Sequence, residues 1–149
     1  MVIAFFDSGI GGLTVLKHAL RELPDYDYLY FADTKNAPYG VKTAEHVKRL
    51  VFAAVDFIAK QNVQALVVAC NTATSVAITD LRRRYPFRIL GMEPAVKPAV
   101  ITNRGGKILV LATSLTLQAG KLETLIASVD KNNKTVKMEM DALVGFAES

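Results

Sequence analysis

The sequence predicts an α/β protein in which alternating strands and helices form a mostly parallel sheet. Two observations carry that expectation. Short runs of Val, Ile, Leu, Ala and Phe recur along the chain, each followed by a longer stretch with helical spacing. Those runs are apolar on successive residues, so both faces need cover, which suits a parallel sheet with helices on each side. Composition permits it: 51% hydrophobic and 21% charged residues lie far from the composition of disordered chains. A length of 149 residues allows one domain, or one with part of a second.

Residues 2–6 form the first strand candidate, ending at Asp7-Ser8-Gly9, and helical spacing follows over 11–20. The second strand is placed at 28–32, ahead of a polar loop over 34–40 containing Pro38 and Gly40. From 43 to 61 the pattern is amphipathic, with Val47, Leu50, Val51, Ala54, Val55 and Ile58 on one face and Thr43 as N-cap. A third strand at 65–69 leads into a helix over 71–85, and a fourth strand follows at 88–92. Residues 93–103 read as helix, Pro94 suiting its first turn and Pro98 a restart or kink. Arg104-Gly105-Gly106 is a turn, 107–112 the fifth strand, 114–128 one helix and 135–140 the sixth strand; 141–149 begins another helix. The expected boundary lies after the fourth strand, giving domains 1–92 and 93–149.

Several function classes are set aside. The net charge of +4 is scattered, and its densest run, Arg82-Arg83-Arg84, sits at a helix end where it complements the dipole; no nucleic-acid partner is expected. No stretch is long enough to span a membrane, and no basic segment precedes the short N-terminal apolar run, so a cytoplasmic location is expected. A single cysteine excludes an internal disulfide. His18 and His46 stand alone at no metal-binding spacing, and no metal is expected.

In open α/β sheets ligands bind beyond the carboxyl ends of the strands. There the chain supplies Asp7-Ser8-Gly9-Ile10-Gly11-Gly12, then Asp33 and Pro38-Tyr39-Gly40, then Cys70-Asn71-Thr72, then Thr113-Ser114-Leu115-Thr116. The first segment is either an anion-holding helix start or a turn capped by Asp7 or Ser8. Pro38-Tyr39-Gly40 is either a plain turn or a loop whose Tyr39 and Gly40 amides hold a carboxylate. Cys70 is either a buried structural thiol or a reactive one, its thiolate favoured by the helix N-terminus that follows.

Together, Phe6-Asp7-Ser8-Gly9-Ile10-Gly11-Gly12-Leu13-Thr14-Val15, Ala37-Pro38-Tyr39-Gly40, Val68-Ala69-Cys70-Asn71-Thr72-Ala73, Glu93-Pro94-Ala95-Val96-Lys97-Pro98-Ala99 and, more loosely, Ala112-Thr113-Ser114-Leu115-Thr116 resemble the glutamate racemase family, within the aspartate/glutamate racemase superfamily. The resemblance implies a cofactor-independent isomerase that interconverts L- and D-glutamate for peptidoglycan precursor synthesis, with two thiols facing opposite sides of the α-carbon. It implies that Cys70 is one of the two, that Asp7 assists proton handling and contacts the substrate ammonium, and that Ser8, Tyr39, Gly40, Asn71 and Thr72, with Thr113 or Thr116, bind the carboxylates.

Family members are longer, build two similar α/β domains, and supply the second cysteine from a later Cys-Thr-His segment. By that resemblance the chain is a truncated piece: a first domain and an incomplete second, one catalytic thiol, and no turnover alone. Exposed apolar surface then favours a homo-oligomer. After the sixth strand the chain reads Asp141-Ala142, where the family is expected to have Cys-Pro. Two other readings stand beside this one: a dicarboxylate- or partner-binding domain without catalysis, and an aspartate racemase.

Overall fold

The computed structural model describes residues 1–148. Its first sheet has four strands, β1 (Val2–Asp7), β2 (Asp27–Ala32), β3 (Ala65–Val68) and β4 (Arg88–Gly91), in the order β2-β1-β3-β4. All three pairings are parallel. Between these strands run α1 (Gly12–Glu22), α2 (Ala44–Ala59) and α3 (Asn71–Arg84). A second sheet of two parallel strands, β5 (Ile108–Ala112) and β6 (Thr135–Glu139), is accompanied by α4 (Val96–Thr102), α5 (Ser114–Gln118), α6 (Lys121–Val129) and α7 (Asp141–Glu148).

The continuous apolar character of β1 has a direct structural cause. Ile3 and Phe5 face the α1 side, packing with Val15, Leu16 and Ala19. Ala4 and Phe6 face the opposite side, within a core built from α2 and α3. Alternate side chains of a strand point to opposite faces, so a central strand covered on both must be apolar throughout. On α2 the predicted stripe is buried at Val47, Val51, Ala54, Val55 and Ile58, with Leu50 half-buried, and the Thr43 hydroxyl caps the helix by accepting the His46 amide.

Three expectations change. Residues 114–128 form two helices rather than one, because Gly120 takes a left-handed conformation (φ 74°) and breaks the chain between α5 and α6. The helix expected from residue 93 starts at Val96; Pro98 then falls in its first turn, where its missing N–H costs no intrahelical bond, and no restart is needed. The N-cap of α1 is Gly11, not Asp7 or Ser8. Asp7 still serves that helix end, its Oδ2 accepting the Gly12 amide at 2.9 Å. The helix expected over 141–149 is present as α7, and Ser149 lies outside the described residues.

The Arg82-Arg83-Arg84 run occupies the last turn of α3 and is exposed. Arg82 donates to the Ile89 carbonyl, and Arg84 pairs with Asp56 while lying over the Phe52 and Tyr85 rings. None of the described helices is long and apolar enough to cross a membrane.

Candidate active site

The strand order places the site. From β1 the chain steps to β2 on one side, then crosses to β3 on the other, so strand order reverses at β1. A crevice opens at the carboxyl ends of two strands whose connections depart in opposite directions. There β1 delivers Asp7 and Ser8, and β3 delivers Cys70 through Ala69. A cleft of about 440 Å³ lies over these ends, within the usual size range of small-molecule sites. Asp7, Ser8, Tyr39, Gly40, Cys70, Asn71, Thr72, Thr113 and Thr116 all line it. Every site residue singled out in the sequence is therefore gathered into one cavity.

Cys70 caps α3, its sulfur accepting the Ala73 amide at 3.4 Å, and it lies 3.4 Å from the Ser8 hydroxyl. The thiol is nevertheless not a ready thiolate. Burial pushes its pKa up, and the Asp7 carboxylate adds to the rise; hydrogen bonds from Ser8 and the Ala73 amide pull it down without prevailing. The helix N-terminus that favours the thiolate is present, and burial acts against it. At 7% exposure, desolvation of the anion outweighs those few favourable contacts.

The hydroxyls of Thr72, Thr113 and Thr116 form a buried triangle with edges of 3.1, 3.1 and 2.9 Å. Thr113 is also the N-cap of α5, accepting the Thr116 amide. The triangle joins the start of α3 to the end of β5, so the two sheets contribute to one cluster. Each hydroxyl has one proton to give. A carboxylate entering here can recruit one of them by turning it out of the triangle.

Tyr39 lies in the cleft wall with its hydroxyl already committed, donating to Asp33 Oδ2 at 2.6 Å. Burial first, and Asp33 second, push its pKa far up, so it stays a neutral phenol. Asp33 also accepts from Asn36, which fixes the short 3-10 turn Thr34–Asn36 ahead of the cis Ala37–Pro38 bond. Gly40 packs against Thr113 so tightly that a Cβ there would lie 2.4 Å from the threonine Cβ. Its carbonyl accepts from the Leu115 amide and lies 3.1 Å from the Ser114 hydroxyl oxygen. Asn71 is exposed at the first position of α3.

Sequence reading missed part of the lining. Met92, Pro94, Leu111, Met140, Leu143 and Val144 form an apolar wall, with Glu93 at the rim paired to Lys121. Glu93 and Pro94 belong to a segment that carries the resemblance, and Met92 precedes it after β4; Leu111, Met140, Leu143 and Val144 carry no local motif and enter through the packing of the second sheet and α7. Asp33 was visible at a strand end, but its partnership with Tyr39, like that of Asp141 with Ser114, depends on folding.

Comparison with known proteins follows the same lines. Residues 12–141 match the model of the Asp/Glu/Hydantoin racemase family. A glutamate racemase of Halothermothrix orenii is 52% identical over 148 residues, covering 99% of this chain and 58% of the relative. Glutamate racemase 2 of Bacillus subtilis is 50% identical over 151 residues, covering all of this chain and 57% of the relative. The chain thus spans somewhat more than half the length of these curated relatives. Among solved structures, Escherichia coli glutamate racemase in complex with L-glutamate and the activator UDP-MurNAc-ala superposes with a TM-score of 0.91 at 33% identity, covering 98% of this chain and 55% of that one. With the family model matched over most of its length, the chain belongs to the Asp/Glu/hydantoin racemase family.

Proposed function

We propose that this chain carries one half of a glutamate racemase active site, with Cys70 as the acid/base for one face of the substrate α-carbon. The observation that carries the proposal is a buried thiol at the β1/β3 crevice, beside a carboxylate and within a ring of hydroxyl donors. L-Glutamate in the Escherichia coli relative, and the names of the curated relatives, support glutamate as the ligand.

In this reading Ser8, Asn71 and the threonine triangle, with Tyr39 and Gly40 beside them, receive the two carboxylates, and Asp7 faces the ammonium. A cation brought next to the thiol favours its ionised form, so bound substrate offsets the burial that holds Cys70 protonated. The thiolate then takes the α-hydrogen as a proton: the C–H bond breaks, the S–H bond forms, and the electron pair stays on the α-carbon, spread into the adjacent carboxylate. Hydrogen-bond donors and the dry apolar wall lower the cost of that carbanion. The same thiol returns its proton to the face it came from.

Inversion needs a second acid on the opposite face, which in the two-thiol mechanism is another cysteine, and this sequence has only Cys70. We therefore propose that the 149-residue chain does not racemise glutamate alone. The two-domain division at 92/93, a cytoplasmic setting, independence of cofactors and service to peptidoglycan precursor supply belong to the same reading; the UDP-MurNAc-ala activator of the Escherichia coli relative supports the last.

Calorimetric titration with L-glutamate, D-glutamate and L-aspartate, paired with polarimetry, tests it. Binding of glutamate in preference to aspartate, with no change in optical rotation, is the expected result. Preference for aspartate favours the aspartate racemase reading, and binding without α-proton exchange favours the binding-domain reading. Sustained racemisation lost in Cys70→Ala overturns the half-site.

A further inference from the structure

We propose that Asp141, acting through Ser114, is a positioning residue that holds α7 as a wall of the Cys70 cleft. Asp141 is the first residue of α7 and reaches back across the chain to the start of α5. Its Oδ1 accepts the Ser114 amide at 3.0 Å, and its Oδ2 accepts the Ser114 hydroxyl at 2.6 Å. The same hydroxyl oxygen lies 3.1 Å from the Gly40 carbonyl oxygen. One carboxylate thus ties the last helix to the start of α5 through a single serine.

The apolar contacts of α7 are weak, which gives this tie its weight. Leu143 and Val144 line the cleft, yet Leu143 is 49% exposed. A helix of eight residues does not hold its shape or place by intrinsic propensity. Charged hydrogen bonds to a carboxylate are the stronger kind, and a carboxylate at the first turn also meets the positive end of the helix dipole. The position of α7 therefore rests on Asp141, and through α7 the cover over the Cys70 side of the cleft does too.

The substitutions separate these roles. Asp141→Ala removes both acceptors. Asp141→Asn keeps one acceptor for the Ser114 amide and offers an N–H to the Ser114 oxygen, freeing that hydroxyl to donate to Gly40. Ser114→Ala leaves the carboxylate but removes the hydroxyl that its Oδ2 holds, so only the amide tie remains. The test is the rate of Cys70 alkylation by iodoacetamide in the intact chain, read beside the urea midpoint. We expect Asp141→Ala and Ser114→Ala to react about fivefold faster or more, at a nearly unchanged midpoint, because the cleft opens locally. Asp141→Asn is expected to react near the rate of the parent chain.

Alkylation of Asp141→Ala at the parent rate overturns the proposal, as does an Asp141→Asn chain that reacts as fast as Asp141→Ala. If Asp141→Ala lowers the midpoint broadly, Ser114→Ala decides, and a parent-like rate there overturns the proposal. Where the chain also exchanges the glutamate α-proton, Asp141→Ala should raise KM more than it lowers kcat. That last effect rests on the glutamate reading. Loss of that reading would appear as an inactive parent chain, with the alkylation rates still deciding the role of Asp141.

Discussion

The Ser8 hydroxyl lies 3.4 Å from the Cys70 sulfur, joining the residue after β1 to the residue that opens α3. Around that contact the thiol is pushed up by burial and by Asp7 and pulled down by Ser8 and Ala73. The pH profile of Cys70 alkylation should therefore turn upward above the ordinary thiol value of 9.0. Asp7→Asn should move that inflection down, since it removes a negative charge while leaving an acceptor for the Gly12 amide. Ser8→Ala should move it up. The same shift bears on stability: a thiol whose folded-state pKa is raised contributes stability that is complete below its unfolded value and is lost as pH rises through the folded one. The alkaline loss of stability should accordingly shrink in Cys70→Ala, as measured by urea midpoints on either side of the thiol range.

The threonine triangle predicts a coupled loss. Thr116→Val is nearly isosteric but strips one hydroxyl from a buried set of three; Thr72 and Thr113 keep each other, and one of their two hydroxyl protons loses its acceptor. Leaving buried polar groups unpaired costs roughly 1–3 kcal/mol, which equilibrium denaturation will read. In any glutamate exchange assay the same variant should raise KM, because the donors offered to a carboxylate fall from three to two.

Gly40 predicts a steric loss. A methyl group there would sit 2.4 Å from the Cβ and Cγ2 of Thr113, at the stem of a side chain that caps α5 and so has little freedom to move. Gly40→Ala should destabilise the chain by about 1–3 kcal/mol, in the range of overpacked sites. The cost should also appear as weaker glutamate binding, because the displaced atoms belong to the cleft wall.

The outer face of the second sheet predicts self-association. Leu109 pairs with Val136 and Leu111 with Met138, and all four side chains are 43–53% exposed on one face of a two-stranded sheet. Contiguous apolar area of this kind tends to be covered by another protein surface. Light scattering should give a mass above the monomer that rises with concentration, and Leu109→Lys with Val136→Lys should return it to the monomer value. A monodisperse monomer for the parent chain contradicts this.

In the first sheet β1 and β3 were readable from sequence because each is a buried apolar run closed by small polar residues, whereas β2 is only half-buried and β4 begins at the exposed Arg88. Where that pattern is clean, as at residues 2–6 and 65–69, the strands fall within a residue or so of their predicted ends. The cleft lining was legible for a related reason: Asp7 ends β1, Cys70 and Thr113 follow β3 and β5, and the strand ends of both sheets meet at one cleft. What escaped was set by contacts distant in sequence. Apolar spacing runs unbroken through 114–128, and only the backbone angle at Gly120 divides it. The thiol looked favourable at a helix start because local sequence shows the capping amide but not the depth of burial. The apolar wall from Met140, Leu143 and Val144 depends on where α7 docks, which no local pattern encodes.

The central claim, that Cys70 works one face of the glutamate α-carbon, is tested most directly by α-proton exchange in heavy water. The exchange is run separately on L- and D-glutamate with the intact chain, with Cys70→Ala alongside. Deuterium uptake into one enantiomer with its configuration retained is expected, falling by about 10²-fold or more in Cys70→Ala, the usual weight of a positioned acid/base. Absence of exchange with both enantiomers, or exchange unchanged by Cys70→Ala, contradicts it.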